Sequence, residues 1–318
     1  MSSHTENNQA VRVPEAAIRW IRNVFLSTNN QVAATLSRIP THHEPELDMQ
    51  LIAALNQVPA VAGIEGWTVY IQTHFLGGRR HFYNWEVADI GLLIIFRDRG
   101  RVLRIKVGLL QSKRLYPREV NQLPDYKNRT RIGFATLLED PEAFRQLAAG
   151  RTFTFEPNSE YLAIDNKGEQ QRRLTAYQKM SKIPVYYLLY NPVDIPWSAT
   201  VPTVTLMPLP KNRIGCRVVP VNTLISALDE QSEGYHPKFS DMFKLGEPFR
   251  KEHISGWSLE YFVTDLMICG QQGHIASDET DHVLEQLFYN RSGPISAAIA
   301  VTIEAPEGSD FLLPDVGV

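Results

Sequence analysis

Asp89, Gln111 and Lys113 are of types that could do chemistry together. An aspartate carboxylate and a glutamine side-chain oxygen are hard oxygen donors of the kind that hold Mg²⁺, an ion that keeps several of its waters. A lysine ammonium beside them can orient or polarise an attacking water, or stabilise charge on a phosphate in transfer. The plain alternative is a sheet edge that ends in polar residues, where lysine is a common choice.

A hairpin would bring the three together. Residues 85–91 lead into the apolar run 92–96, and Arg97-Asp98-Arg99-Gly100 follows as a turn. A second apolar run, 102–110, ends in Gln111-Ser112-Lys113-Arg114-Leu115. Asp-x-Arg-Gly between two runs rich in β-branched residues is a hairpin signal. Pairing about that turn returns the Asp89 end to the side of the Gln111 end. The two-residue period of a strand then puts Gln111 and Lys113 on one face.

Asp, then a strand and turn, then Gln-x-Lys at the end of the next strand resembles the PD-(D/E)xK nuclease superfamily. Within it the pattern is similar to the Mrr-like branch, in which Gln replaces the usual acid of the last triplet. The matching residues are Asp89, Gln111 and Lys113, and the resemblance covers residues 41–192. It implies an α/β protein with a restriction-endonuclease-like core, a mixed central sheet flanked by helices. It also implies metal-dependent hydrolysis of nucleic-acid phosphodiesters, with DNA expected and Mg²⁺ or Mn²⁺ held by Asp89 and Gln111. Such proteins often serve restriction or anti-phage defence beside an ATPase or another defence-system protein; a homo-oligomer is left open. With Gln111 in place of an acid the site has one negative charge fewer, and its hold on a metal should fall. The alternative is a catalytically inactive module on the same fold that binds nucleic acid or a partner.

The elements around the hairpin follow the order such a core needs. Pro14 opens a helix with Ile18, Ile21, Val24 and Phe25 on one face, and a short second helix is expected over residues 31–38. Another helix begins near Pro45, with Leu47, Leu51, Ala54, Leu55 and Val58 as its buried stripe. Helical phase puts Glu44 on the stripe side, Asp48 near it and Glu46 on the other. The family's first helix often adds a carboxylate to the metal site, and by phase that residue is Glu44. The alternative is an acidic helix start favoured by the helix dipole. His42 and His43 read as exposed cap residues. Residues 67–75 alternate as a strand, and Glu86 reads as a structural acid or outer ligand.

Residues 116–165 read as an insertion beside the site, punctuated by Pro117, Pro124, Pro141 and Pro157. Arg79, Arg80, Arg114, Lys127, Arg129, Arg131, Arg172 and Arg173 are candidate contacts to a nucleic-acid backbone, with Tyr116 and Tyr126 interleaved. The bland reading is a solvated face. A basic helix follows Gly168, with Gln171 and Tyr177 as weak candidates to face substrate. Residues 183–190 form a continuous apolar run, as a strand buried on both faces does.

Domain organisation reads as an N-terminal helical segment over 1–40, the nuclease-like core over 41–192 and a C-terminal α/β region over 193–318. That last region either completes the same domain or forms a unit for partner contacts. Strands are expected at 203–206 and 216–219 and helices at 221–229, 257–269 and 278–289, with a further strand at 296–304. Residues 230–252 read as loop. The chain of 318 residues has 32 Lys and Arg against 35 Asp and Glu, a net charge of -3, so any phosphate contact must come from a local basic patch. Its two cysteines, Cys216 and Cys269, lie in apolar segments and read as buried thiols. The start, Met1 to Glu6, is polar and lacks a signal-peptide core, and no apolar run reaches membrane-spanning length. A cytoplasmic protein with no membrane partner is expected.

Overall fold

The computed structural model describes residues 12–75, 88–120, 151–201, 208–242, 256–276, 281–289 and 295–307. Glu15–Arg38 forms one helix, α1, of 24 residues with Pro14 as its N-cap. No second helix starts at residue 31. Polar Thr28 and Asn29 are buried within α1. Asn29 spends its side chain on the Cys216 N–H at 2.7 Å and on Glu260 Oε2 at 2.9 Å, so it does not compete for its own backbone. Glu44–Asn56 forms α2. His43 is its N-cap, and the His43 N–H donates to Glu46 Oε2 at 2.7 Å.

Two hairpins come next. β1 (Val61–Ile64) and β2 (Trp67–Phe75) turn at Glu65-Gly66, and β3 (Ala88–Asp98) and β4 (Arg101–Arg114) turn at Arg99-Gly100. Both central residues of each turn have positive φ, 50° and 83° in the first, 49° and 73° in the second. Those are the primed turns whose twist matches that of the paired strands. β5 (Arg118–Glu119), β6 (Arg151–Phe155) and β8 (Trp197–Val201) make a separate three-stranded sheet. Between them α3 (Glu169–Ser181) leads into β7 (Val185–Tyr190), whose six residues are all buried.

The C-terminal region is built into the main sheet. β9 (Arg217–Pro220) pairs with β7, β10 (Trp257–Ser258) pairs with β9, and β11 (His274–Ala276) pairs with β4. β12 (Ile295–Ala305) runs between β2 and β3, antiparallel to the first and parallel to the second. The result is an α/β protein around a mixed sheet that has nine strands among the described residues, in the order β1-β2-β12-β3-β4-β7-β9-β10 with β11 beside β4. A boundary at residue 192 therefore does not divide the sheet.

Helices cover both faces. On one face of β4, Ser112 meets Asp48 of α2, and Lys106 and Gly108 meet Met267 of α6 (residues 259–268). That helix begins as Leu259–Tyr261 and continues as the π-helix Phe262–Ile268. α4 (Val221–Ala227) packs on β7 and β9 and against α3. Phe239–Met242 forms a short α5, where loop was expected. α7 begins as His282–Leu284 and continues as a π-helix, Glu285–Tyr289, whose Phe288 seats on Gly91. Cys216 is buried, but Cys269 is exposed, because it lies just past the π-helix end rather than on its inner face. The expected strand at 203–206 lies outside the described residues. No described helix is long and apolar enough to cross a membrane.

Candidate active site

β3 and β4 are paired from Ile90 opposite Leu110 down to the turn. One step further up puts Asp89 opposite Gln111, and opposed residues of antiparallel strands share a face. The side chains meet there: Gln111 Nε2 donates to Asp89 Oδ2. The Ser112 main-chain N–H donates to the same oxygen at 2.7 Å. Lys113, two residues beyond Gln111, lies on that same face. Gln111 is 5% exposed and Lys113 6%. The hairpin reading thus brings Asp89, Gln111 and Lys113 to one face of one strand end.

Beyond Leu110, where main-chain pairing with β3 ends among the described residues, carboxylates meet the N–H groups of β4. Asp89 accepts from Ser112 N, and Glu44 Oε1 accepts from Arg114 N at 3.3 Å. Glu44 is turned inward and Glu46 is exposed, as helical phase predicts. Glu44 also accepts from the Tyr116 hydroxyl, at 3.3 and 3.4 Å from its two oxygens. Burial, and then the Glu44 charge, push the Tyr116 hydroxyl above the usual tyrosine pKa.

On the opposite face of β4, Asp48 of α2 reaches the strand. Its Oδ1 accepts from Ser112 Oγ and from the Tyr190 hydroxyl, both at 2.5 Å. Tyr190 is fully buried, and that burial, followed by Asp48, raises its pKa well above the ordinary value. The sequence marked Asp48 only as near the apolar stripe, and Tyr190 looked like one more residue of an apolar strand. Ser296 was missed altogether. The β12 register, Ile295 beside Ala88 and Ala297 beside Ile90, puts it next to Asp89. Its one signal was a hydroxyl near the start of an apolar run.

The proposed nucleic-acid contacts fare differently. Arg114 is corrected: it is 4% exposed, donates to the His42 carbonyl and stacks its guanidinium 4.0 Å over the Tyr116 ring. A buried, stacked guanidinium holds the strand end and is not free for a phosphate backbone, and burial lowers its pKa. Arg172 and Arg173 are exposed on α3, Arg172 within 3.7 Å of Glu233 and Arg173 paired with Glu169. Gln171 is buried with its oxygen on the Lys167 N–H, and Tyr177 is half-buried in the core. Arg79, Arg80, Glu86, Tyr126, Lys127, Arg129 and Arg131 lie outside the described residues.

Asp89 and Gln111 are oxygen donors suited to Mg²⁺ or Mn²⁺ held by few protein ligands and completed by water. The amide presents Nε2 to Asp89, so Gln111 must turn its amide over before its oxygen can serve. No group of three His, Cys, Asp or Glu side chains able to hold a metal occurs among the described residues. The donor set fits such an ion in kind, with Gln111 in place of a second carboxylate. The chain matches no family model, no curated protein and no solved structure.

Proposed function

We propose that this protein is a divalent-metal-dependent nuclease that hydrolyses nucleic-acid phosphodiester bonds, with DNA as the substrate. The observation that carries this reading is the Asp89 carboxylate, fixed by Ser112 N and Gln111 Nε2, on the same face of the strand end as Lys113. Asp89 and Gln111 would hold Mg²⁺ or Mn²⁺, and Glu44, on the same strand edge, is the third candidate ligand. Bound there, the ion would acidify a water and neutralise charge developing on the phosphate. Lys113, nearly excluded from water, offers a charge that acts more strongly than it would in solvent, positioning the nucleophile or stabilising the phosphate oxygens. A role in restriction or anti-phage defence, with an ATPase or similar partner, belongs to this proposal through the resemblance alone.

The test is incubation of the purified protein with supercoiled plasmid and Mg²⁺ or Mn²⁺, wild type beside Asp89→Asn and Lys113→Ala. Nicking by the wild type and its loss in both variants is the expected result. Equal nicking by all three would remove the assignment from these residues.

A second reading is favoured by the Gln111 N–H on Asp89, since a carboxylate already bound by two N–H donors is partly satisfied without a metal. On that reading the chain is an inactive module that binds nucleic acid or a protein partner. A wild-type protein that binds DNA but stays inert with every divalent metal would favour it.

A further inference from the structure

Ser112 is tied on two sides. Its main-chain N–H is on Asp89, and its hydroxyl is on Asp48 on the opposite face of β4, 2.5 Å away. Asp48 in turn takes the hydroxyl of Tyr190, the residue across from Arg114 in the parallel β4–β7 pair. A helix and a neighbouring strand therefore meet at one carboxylate oxygen, and the residue they hold stands between Gln111 and Lys113.

We infer that Asp48, with Tyr190, is a positioning residue that sets the strand end carrying Gln111 and Lys113, and is not itself a metal ligand or a catalytic residue. This rests on the reading of Asp89, Gln111 and Lys113 as the working site. Three observations support it. First, among the described residues main-chain pairing of β4 with β3 ends at Leu110, and the Ser112 and Arg114 N–H groups beyond it donate to the Asp89 and Glu44 carboxylates. Second, Asp48 Oδ1 already has two hydroxyl donors, which take both lone pairs of that oxygen and tie the carboxylate to β4 and β7. Third, Ser112 points to the face opposite Gln111 and Lys113, so Asp48 reaches the site through the strand and not across it. A sub-ångström slip of Ser112 would move its N–H off Asp89 and shift both neighbours, which makes the anchor relevant to site geometry as well as to fold.

The experiment compares Asp48→Ala, Asp48→Asn, Ser112→Ala, Tyr190→Phe and Asp89→Asn with wild type, each at a temperature where it is folded. Mn²⁺ alone is titrated against each, and main-chain hydrogen exchange is followed over residues 109–115. Asn keeps an oxygen that accepts two hydrogen bonds, so a positioning role predicts near-normal Mn²⁺ affinity for Asp48→Asn and its loss only in Asp89→Asn. Asp48→Ala and Ser112→Ala should weaken Mn²⁺ binding by about 10-fold or more, as loss of a ligand-orienting partner commonly does. Loss of Mn²⁺ by Asp48→Asn as complete as by Asp89→Asn would make Asp48 a ligand and overturn the inference. So would unchanged affinity in Asp48→Ala. If the wild type binds no Mn²⁺, the nuclease reading fails, and hydrogen exchange decides the positioning role alone. Faster exchange confined to residues 109–115 in Asp48→Ala and Tyr190→Phe supports it, and unchanged exchange refutes it.

Discussion

The main-chain N–H of Ser112 donates to Asp89 Oδ2 at 2.7 Å. A carboxylate that substitutes for a ladder carbonyl is held by the backbone of the strand it serves, so its position does not depend on rotamer choice alone. Asp89→Asn keeps the shape and an oxygen that can accept from Ser112, but replaces a charged group with a neutral amide. We expect plasmid nicking to fall by about 100-fold or more, because the charge that would anchor a metal is gone. The readout is nicking rate at saturating Mg²⁺, and a rate within a few-fold of wild type would contradict it.

Lys113→Ala should separate chemistry from binding. One lysine is a small part of a phosphate-contacting surface, so DNA affinity at fixed salt should be nearly unchanged. Cleavage should drop by about 100-fold or more, the usual cost of removing a stabilising group from a reacting centre. Binding by fluorescence anisotropy beside single-turnover cleavage checks the split; parallel loss of both would make Lys113 a binding residue.

Gln111→Glu tests the amide. The new carboxylate would repel Asp89 without a cation between them and attract one when it is present. Metal affinity should hold or rise, by up to about tenfold, since affinity follows ligand charge. The variant should also be stabilised by Mn²⁺ more than wild type in thermal unfolding. A variant with weaker Mn²⁺ binding would show that Gln111 is not placed as a ligand.

The hairpin and its consequence for Asp89, Gln111 and Lys113 were legible because a turn signal, two apolar runs and the two-residue period fix register locally. The inward turn of Glu44 was legible for the same reason, from helical phase. What escaped depends on contacts distant in sequence. Nothing in residues 295–305 says that they pair in parallel with β3, so Ser296 beside Asp89 was invisible. Arg114 follows a Lys and reads as surface charge, yet His42 and Tyr116 draw it inward. The place of Asn29 inside α1 likewise depends on Cys216 and Glu260, far along the chain.

Gly91 is the next residue after Asp89 on its face, and the Phe288 ring of α7 rests on it. A Cβ placed there would meet Phe288 Cε1 at 2.6 Å and Ile295 Cδ1 at 2.7 Å. Gly91→Ala should therefore destabilise the protein by about 1–3 kcal/mol through overpacking. Phe288→Leu in that background should recover part of the loss. Denaturant midpoints of the single and double variants check this, and additive losses would show that the two residues do not compete for the space.

Lys106 gives a pH signature. It is 1% exposed, and its Nζ donates to the Met267 and Gly270 carbonyls, both at 2.6 Å, at the end of the π-helix in α6. Two carbonyls take two of its three hydrogens but do not replace a counter-ion. Burial, with Arg104 adding to it, lowers its pKa from 10.5 to about 8. The folded state thus releases this proton before the unfolded chain does. Between those two values the unfolded chain holds more protons, and stability rises with pH on account of Lys106. That contribution is complete above the unfolded value and is lost as pH falls through about 8. In Lys106→Met the contribution is absent, so the stability difference, wild type minus variant, should be flat below about pH 7 and climb from about 8 to about 10.5. Urea midpoints for both proteins across pH 6 to about 10 measure it, and other titrating groups cancel in the difference. A difference independent of pH would mean that Lys106 titrates in the folded protein as it does in the unfolded chain.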